Sequence, residues 1–287
     1  SKVKVHKIYI DGNEVLSDRK LKRVIKKTNE SGNLLKLFSQ KKFVDQDYKD
    51  DLNRIIQKYN ELGYRDAKIV SDSVVPYDDK KVDVYIDIDE GKKYYISDIS
   101  WVGNTVYNTD QLNYLLGMKP GDVYNQKELD KRLTTDEDAV SSAYMDQGYL
   151  FYQLVPIEKN VHGDSIDLEL RMFEGPQARV NKVVINGNDR LYEKVVRREL
   201  RIKPGELFSK SDLIRSAREI AQTGHFDPET MDPRVEPNEE NGTVDVVFNL
   251  ESKANDQIEF SLGWGQTGLI GKIALKFTNF SMKNLFN

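Results

Sequence analysis

Val183-Val184-Ile185-Asn186-Gly187-Asn188 decides how this chain is read, because it is the third writing of one phrase. Ile8-Tyr9-Ile10-Asp11-Gly12-Asn13 and Ile99-Ser100-Trp101-Val102-Gly103-Asn104 are the first two. Each places apolar residues four and two positions before a Gly-Asn. That is the pattern of a short strand with one buried face, closed by a residue that tolerates positive φ. A lone Gly-Asn is only a turn; the residues downstream of these three carry more information.

Nine and thirteen residues past each glycine stands an apolar pair: Leu21 and Ile25, Leu112 and Leu116, Val196 and Leu200. A spacing of four marks one face of a helix. The second and third copies then share Pro120-Gly121 and Pro204-Gly205, expected to stop that helix, followed by Tyr124 and Phe208. The first copy carries an insertion, Ser31–Phe43, with Phe43 as counterpart of the aromatic residue. A second helix comes next in each copy. It carries Leu52, Ile55, Ile56 and Tyr59 on one face in the first, and ends at Gly63-Tyr64, Gly148-Tyr149 and Gly224-His225. Asn125 with Glu128 reads as a capping box, and Ser209 with Asp212 stands at the same place in the third copy. A hairpin closes each copy; Val82, Val84, Ile86 and Ile88 alternate strictly with Asp83, Tyr85, Asp87 and Asp89. Glu-Gly recurs as Glu90-Gly91 and Glu174-Gly175.

The chain therefore reads as an α+β protein of three tandem β-α-α-β-β modules, at residues 1–92, 93–177 and 178–253. The last two strands of a module are hairpin partners, and the first joins them by a right-handed crossover. This gives a three-stranded mixed sheet with helices on one face. With the final strand central, the middle strand is an open edge. Junctions are short, which predicts semi-rigid joints.

Residues 254–287 differ. Ile258, Phe260, Leu262 and Trp264 alternate with Glu259, Ser261, Gly263 and Gly265, and Ile273, Leu275 and Phe277 alternate with Lys272, Ala274 and Lys276. Two glycine-rich alternating strands predict the start of a transmembrane β-barrel, truncated at Asn287. A soluble hairpin packed on the third module is the plainer alternative.

Composition narrows the function classes. The 287 residues are 38% hydrophobic and 31% charged, with a net charge of -4 and no cysteine, which excludes disulfide scaffolds and thiolate sites. Charge is uneven: residues 1–92 carry a net +3 and residues 93–177 a net -7. No signal peptide is read at Ser1, and no apolar run is long enough for a membrane helix. Gly263-Trp264-Gly265-Gln266-Thr267-Gly268 matches G-x-G-x-x-G, but the period-two alternation over 270–277 predicts no helix after it, so nucleotide binding is not expected. Asp45-Gln46-Asp47-Tyr48-Lys49-Asp50-Asp51 has the carboxylates of a calcium loop but puts Asp50 where glycine is needed and Ile56 where glutamate is needed. His6, His162 and His225 lie far apart, and no serine or carboxylate pair has a triad setting. No catalytic residue, metal site or cofactor is expected. Lys20, Lys22, Arg23, Lys26 and Lys27 form a solvated helix face without an aromatic stacking platform, so nucleic acid is not a predicted partner.

Binding is better supported. An open edge strand accepts an extended segment through backbone hydrogen bonds. Ala67–Val75 is the first candidate, with Ala67, Ile69, Val70, Ser71 and Val74 as contacts; Phe151–Ile157 is the second, and prolines spoil the third edge.

Here the residues resemble a known family. The strand-Gly-Asn start, the middles Lys119-Pro120-Gly121-Asp122-Val123-Tyr124 and Lys203-Pro204-Gly205-Glu206-Leu207-Phe208, and the Gly-Tyr helix ends resemble POTRA domains. Followed by a glycine-aromatic hairpin, they resemble the membrane-proximal part of the BamA family of outer-membrane protein assembly factors. The insertion Ser31–Phe43 is similar to that of the third of five POTRA domains, which makes these modules three to five; the ending Asn279–Phe286 looks most like the Bacteroidota branch. The resemblance implies the periplasmic side of an outer membrane and a non-enzymatic role in folding and inserting β-barrel proteins. Implied partners are unfolded outer-membrane proteins, periplasmic lipoproteins and, through the barrel, outer-membrane lipid. It also implies a lipoprotein surface at Arg197, Arg198 and Glu199, and a lateral barrel seam at Ile258, Phe260, Leu262 and Trp264. A translocation factor of the TamA type, or a soluble three-module interaction scaffold, remain the alternatives.

Overall fold

A computed structural model describes residues 3–25, 45–187, 190–228, 231, 233–250, 268–273 and 277. The chain divides into two compact units: Ser1–Ile99 with Lys119–Leu129 and Glu158–Leu168, and Ser100–Met118 with Asp130–Ile157 and Glu169–Asn287.

The first unit contains β1 (Lys4–Asp11), α1 (Asp18–Val24), α2 (Asp45–Glu61), β2 (Lys68–Pro76) and β3 (Lys81–Asp89). Their sheet has the order β1-β3-β2, with β1 parallel and β2 antiparallel to the central β3. Val84, Ile86 and Ile88 of β3 are buried while Tyr85, Asp87 and Asp89 are exposed, as their alternation requires. Leu21, Ile55 and Tyr59 cover that apolar face from the helices. Complete burial of each leucine or isoleucine contributes about 2 kcal/mol.

Next in the chain come β4 (Tyr95–Val102), α3 (Thr109–Leu116), α4 (Gln126–Asp130), a π-helical turn at Lys131–Thr135, α5 (Val140–Met145), β5 (Gln153–His162) and β6 (Ser165–Phe173), with sheet order β4-β6-β5. The second helix predicted here is thus broken. Arg132 in the π-helical turn donates through Nε to Leu116 O (3.3 Å) and through one terminal nitrogen to Asp136 (3.1 Å) and Asp138 (2.6 Å). A third set of elements, β7 (Arg179–Asn186), α6 (Arg190–Glu199), α7 (Lys210–Gln222), β8 (Arg234–Asn238) and β9 (Thr243–Asn249), repeats the order as β7-β9-β8.

Two motifs do more than punctuate. Pro120-Gly121 does not stop α3, which ends in a left-handed cap at Gly117. Instead Gly121 N–H donates to Ile96 O (2.8 Å), and Gly205 N–H to Val180 O (2.7 Å), tying each Pro-Gly turn to the module's first strand. The aromatic residue beyond it closes a clasp between modules. Tyr94 N–H donates to Gly63 O (2.8 Å) and Tyr124 N–H to Tyr94 O (2.9 Å); likewise Ala178 N–H donates to Gly148 O (2.7 Å) and Phe208 N–H to Ala178 O (2.9 Å). The glycine that ends each of these second helices is therefore also the acceptor for the backbone at the start of the next module.

The recurring Glu-Gly has a role its spacing did not announce. Glu90 accepts from the backbone N–H groups of Glu14 and Val15 (both 2.9 Å) and from Tyr59 Oη (2.7 Å). Glu174 accepts from the N–H groups of Thr105 (2.8 Å) and Val106 (2.9 Å) and from Tyr144 Oη (2.8 Å). One carboxylate thus binds the loop after Gly-Asn to the second helix. In the third copy the corresponding residues are Ile220 and Ser252, so tyrosine and glutamate are replaced together.

Gly268–Ile273 and Phe277 are helical, contrary to the strand predicted over 270–277. Leu269, Ile273 and Phe277 are all buried, and their spacing of four is a helical face that coexists with the period-two pattern. A helix satisfies its own backbone, whereas a strand needs a neighbour. A helix does follow Gly268, so G-x-G-x-x-G is not excluded on that ground; the strand that motif also needs before it falls outside the described residues.

Candidate protein-interaction surfaces

The candidate edge β2 is exposed along almost its whole length, and among the described strands it pairs with β3 alone. Ala67 lies before the strand and is buried, so it is no part of an accessible edge. Ile69 packs against the module core. Between Ile69 and Ser71 the register shifts, leaving Val70 as a bulge at 61% exposure. Ser71 Oγ donates to Asp87 Oδ2 (2.7 Å) on the open face, while Tyr48 Oη donates to Asp72 Oδ2 (2.7 Å) on the helix side. Burial first, then this bond, pushes the Tyr48 hydroxyl well above its usual range.

Hairpin geometry fixes which backbone groups face outward. Tyr77 N–H donates to Lys81 O (2.9 Å), so that opposed pair is hydrogen-bonded. Alternation in an antiparallel ladder then turns the backbone groups of Val75, Ser73 and Ser71 toward β3, and those of Pro76, Val74 and Asp72 away from it. Proline is tolerated at position 76 because its missing donor would have pointed outward. The other two edges are less open. β8 contains Pro237, and β5, a predicted acceptor, contains Pro156 within the strand.

The predicted lipoprotein surface ends α6. Arg197 is held within its own module: it donates to Glu193 Oε1 (3.1 Å) and reaches Val183 O at 3.4 Å. Arg198 is exposed and makes no ion pair among the described residues, so it is the cation of this group available to a partner. Glu199 is half-buried. Ile258, Phe260, Leu262 and Trp264 fall outside the described residues. Among the described residues no cluster of histidine and carboxylate groups could hold a metal ion, and no helix is long and apolar enough to cross a membrane.

Three sheets of identical order, with clasped glycines and tied Pro-Gly turns, are matched by one family. POTRA, described as the surface antigen variable number repeat, matches residues 3–91, 94–175 and 178–253. The chain belongs to the POTRA family. Among its relatives, the outer membrane protein assembly factor BamA of Neisseria meningitidis is 30% identical over 271 residues, covering 93% of this chain and 33% of that protein. A putative outer membrane protein assembly factor of Treponema pallidum is 25% identical over 292 residues, covering 98% of this chain and 33% of that protein. This POTRA array therefore spans about a third of the length of the curated relatives it matches. The crystal structure of Haemophilus influenzae BamA POTRA3-5 superposes with a TM-score of 0.68 at 23% identity, over 88% of this chain and 97% of that one, and shows the shared fold.

Proposed function

We propose that this POTRA array is the periplasmic arm of a β-barrel assembly machine, receiving unfolded outer-membrane proteins and passing them toward a barrel for folding and insertion. The observation that carries the reading is β2: an exposed edge strand on a module array shared with outer membrane protein assembly factors. Such an edge recognises backbone first and sequence second, which suits many clients that have only extended character in common. Barrel-forming segments alternate apolar and polar residues, so one face can lie against the exposed Val74 side chain. Accessory periplasmic lipoproteins are the partners proposed for the end of α6, with Arg198 as the contact, and the modules are placed at the outer membrane. No chemistry is assigned to them; the work is positioning.

Proline at position 74 is the discriminating change, because the N–H it removes points outward and the β2–β3 ladder stays whole. With a fluorescein-labelled ten-residue amphipathic strand peptide, Val74→Pro is expected to weaken binding about fivefold, one backbone hydrogen bond's worth. Val74→Ala, which keeps the donor, should leave binding within about twofold. Equal affinities for the proline and alanine variants, at unchanged circular dichroism, would remove β2 as the acceptor.

A further inference from the structure

Both joints use the same backbone clasp, but its surroundings differ. At the second joint the clasp is set in apolar packing. Met145, Leu150 and Phe151 belong to one buried cluster with Phe208, Leu213 and Ala217 of the third module. Lys210, only 5% exposed, donates Nζ to Ser142 Oγ (3.0 Å), and Ser211 N–H donates to Asp146 Oδ1 (2.8 Å).

At the first joint, among the described residues, the module-one core cluster holds side chains of module one alone, and Val123 of the second module packs on Gly63. Charge surrounds the clasp instead. Arg65 donates through Nε to Glu158 Oε2 (2.7 Å), with a second guanidinium nitrogen on the same oxygen (2.5 Å), and Tyr124 Oη donates to Oε1 (3.0 Å). Arg65 also donates to Asp66 Oδ1 (2.8 Å), whose other oxygen accepts from Tyr94 Oη (2.5 Å). The guanidinium carbon lies 5.6 Å from the centre of the Tyr94 ring. Hydrogen bonding to Glu158 holds the Arg65 pKa above its ordinary value. Tyr94 and Tyr124 supply the two backbone donors of the clasp, so this ring of side chains grips the clasp itself. Glu158 is its hub, since both of its oxygens are used, one by Arg65 of the first module and one by Tyr124 of the second.

We propose that Glu158 is an electrostatic latch that makes the first joint releasable while the second is permanently fused. Arg65 and Glu158 are 28% and 24% exposed, open enough for ions to compete. At about 1 M salt the screening length falls to about 3 Å. Apolar burial at the second joint gains from salt exclusion or is indifferent to it. The array would then articulate at one defined place, between modules one and two, whenever a partner or ions take over the Glu158 carboxylate.

The chain has no cysteine, so spin-label pairs can be introduced cleanly. Asp79→Cys with Lys119→Cys reports the first joint, and Tyr114→Cys with Glu240→Cys the second; all four sites are exposed. In the full 287-residue chain, Glu158→Gln and Arg65→Gln are each expected to widen the first distance distribution at least about twofold at about 0.15 M salt. The unaltered latch should widen similarly at about 1 M salt, and the second distribution should hold its width throughout. Exchanging the charges, Arg65→Glu with Glu158→Arg, should narrow the first distribution again. A first distribution unmoved by Glu158→Gln, or a second that widens equally, would overturn the proposal.

Discussion

Replacing Gly103 with alanine is expected to destabilise the second module by about 3 kcal/mol or more, among the largest effects of a single methyl group in this chain. Gly103 has φ +92°, and a Cβ built on it would stand 2.0 Å from Met172 O. The left-handed backbone alone costs an L-residue about 1–2 kcal/mol. The contact adds to that, because the opposing atom is a carbonyl of the central strand β6 and cannot rotate aside. Gly12 repeats the arrangement in the first module, with φ +83° and a Cβ 2.0 Å from Ile88 O. Gly187 does not: its Cβ would lie 3.3 Å from Leu250 O and its φ is outside the left-handed region. Gly187→Ala should therefore cost under about 1 kcal/mol. Urea unfolding of the three alanine variants, read by hydrogen exchange module by module, tests the ordering. Equal loss at all three positions would show that the carbonyl contact is not the cause.

Glu174→Gln is the second large effect, expected at about 2–4 kcal/mol at neutral pH. The carboxylate is 9% exposed and accepts from two backbone N–H groups and the Tyr144 hydroxyl. A glutamine amide offers N–H where an acceptor is required, leaving at least one buried donor unpaired at about 1–3 kcal/mol. Burial pushes this carboxyl upward, but the bonds from Thr105, Val106 and Tyr144 outweigh it and hold the pKa below the ordinary 4.5. A carboxyl depressed in the folded state contributes its full stability above the unfolded value and loses it as pH falls through the folded one. The native chain should thus lose stability below about pH 4.5 with a slope that Glu174→Gln lacks. Identical acid limbs for the two proteins would exclude Glu174 as the titrating group.

Legibility in the amino-acid order tracks the range of the interaction. Strand-Gly-Asn, the pairs Leu112/Leu116 and Val196/Leu200, and the β3 alternation are local patterns, and each lies where periodicity placed it. The sheet order, with the final strand central, comes from hairpin pairing and crossover handedness. Long-range pairings are not legible. Nothing local links Glu90 to Tyr59, or Glu158 to Arg65, which is 93 residues away. The repeated Gly-Tyr and Pro-Gly-x-x-Tyr signals can be read as helix ends, but their partnership across a joint needs the third dimension. Residues 268–277 mislead for a different reason. Apolar residues at 269, 273, 275 and 277 satisfy both a two-residue and a four-residue repeat, and a short window cannot separate them. In the candidate acceptor edge the burial of Ala67 and the bulge at Val70 are equally hidden, because alternation alone does not show where a strand starts or slips.

The bulge at Val70 also sets the length of any guest. A segment lying beside β2 keeps its frame only from Ser71 to Pro76, since beyond Val70 its side chains would swap faces. Within that window the outward groups are the N–H groups of Asp72 and Val74 and the carbonyls of positions 72, 74 and 76. About five bonds at about 1 kcal/mol each, less the entropy of straightening a disordered chain, give a grip on the order of millimolar. Such a hold is too weak to keep a guest segment for long, and leaves it free to dissociate.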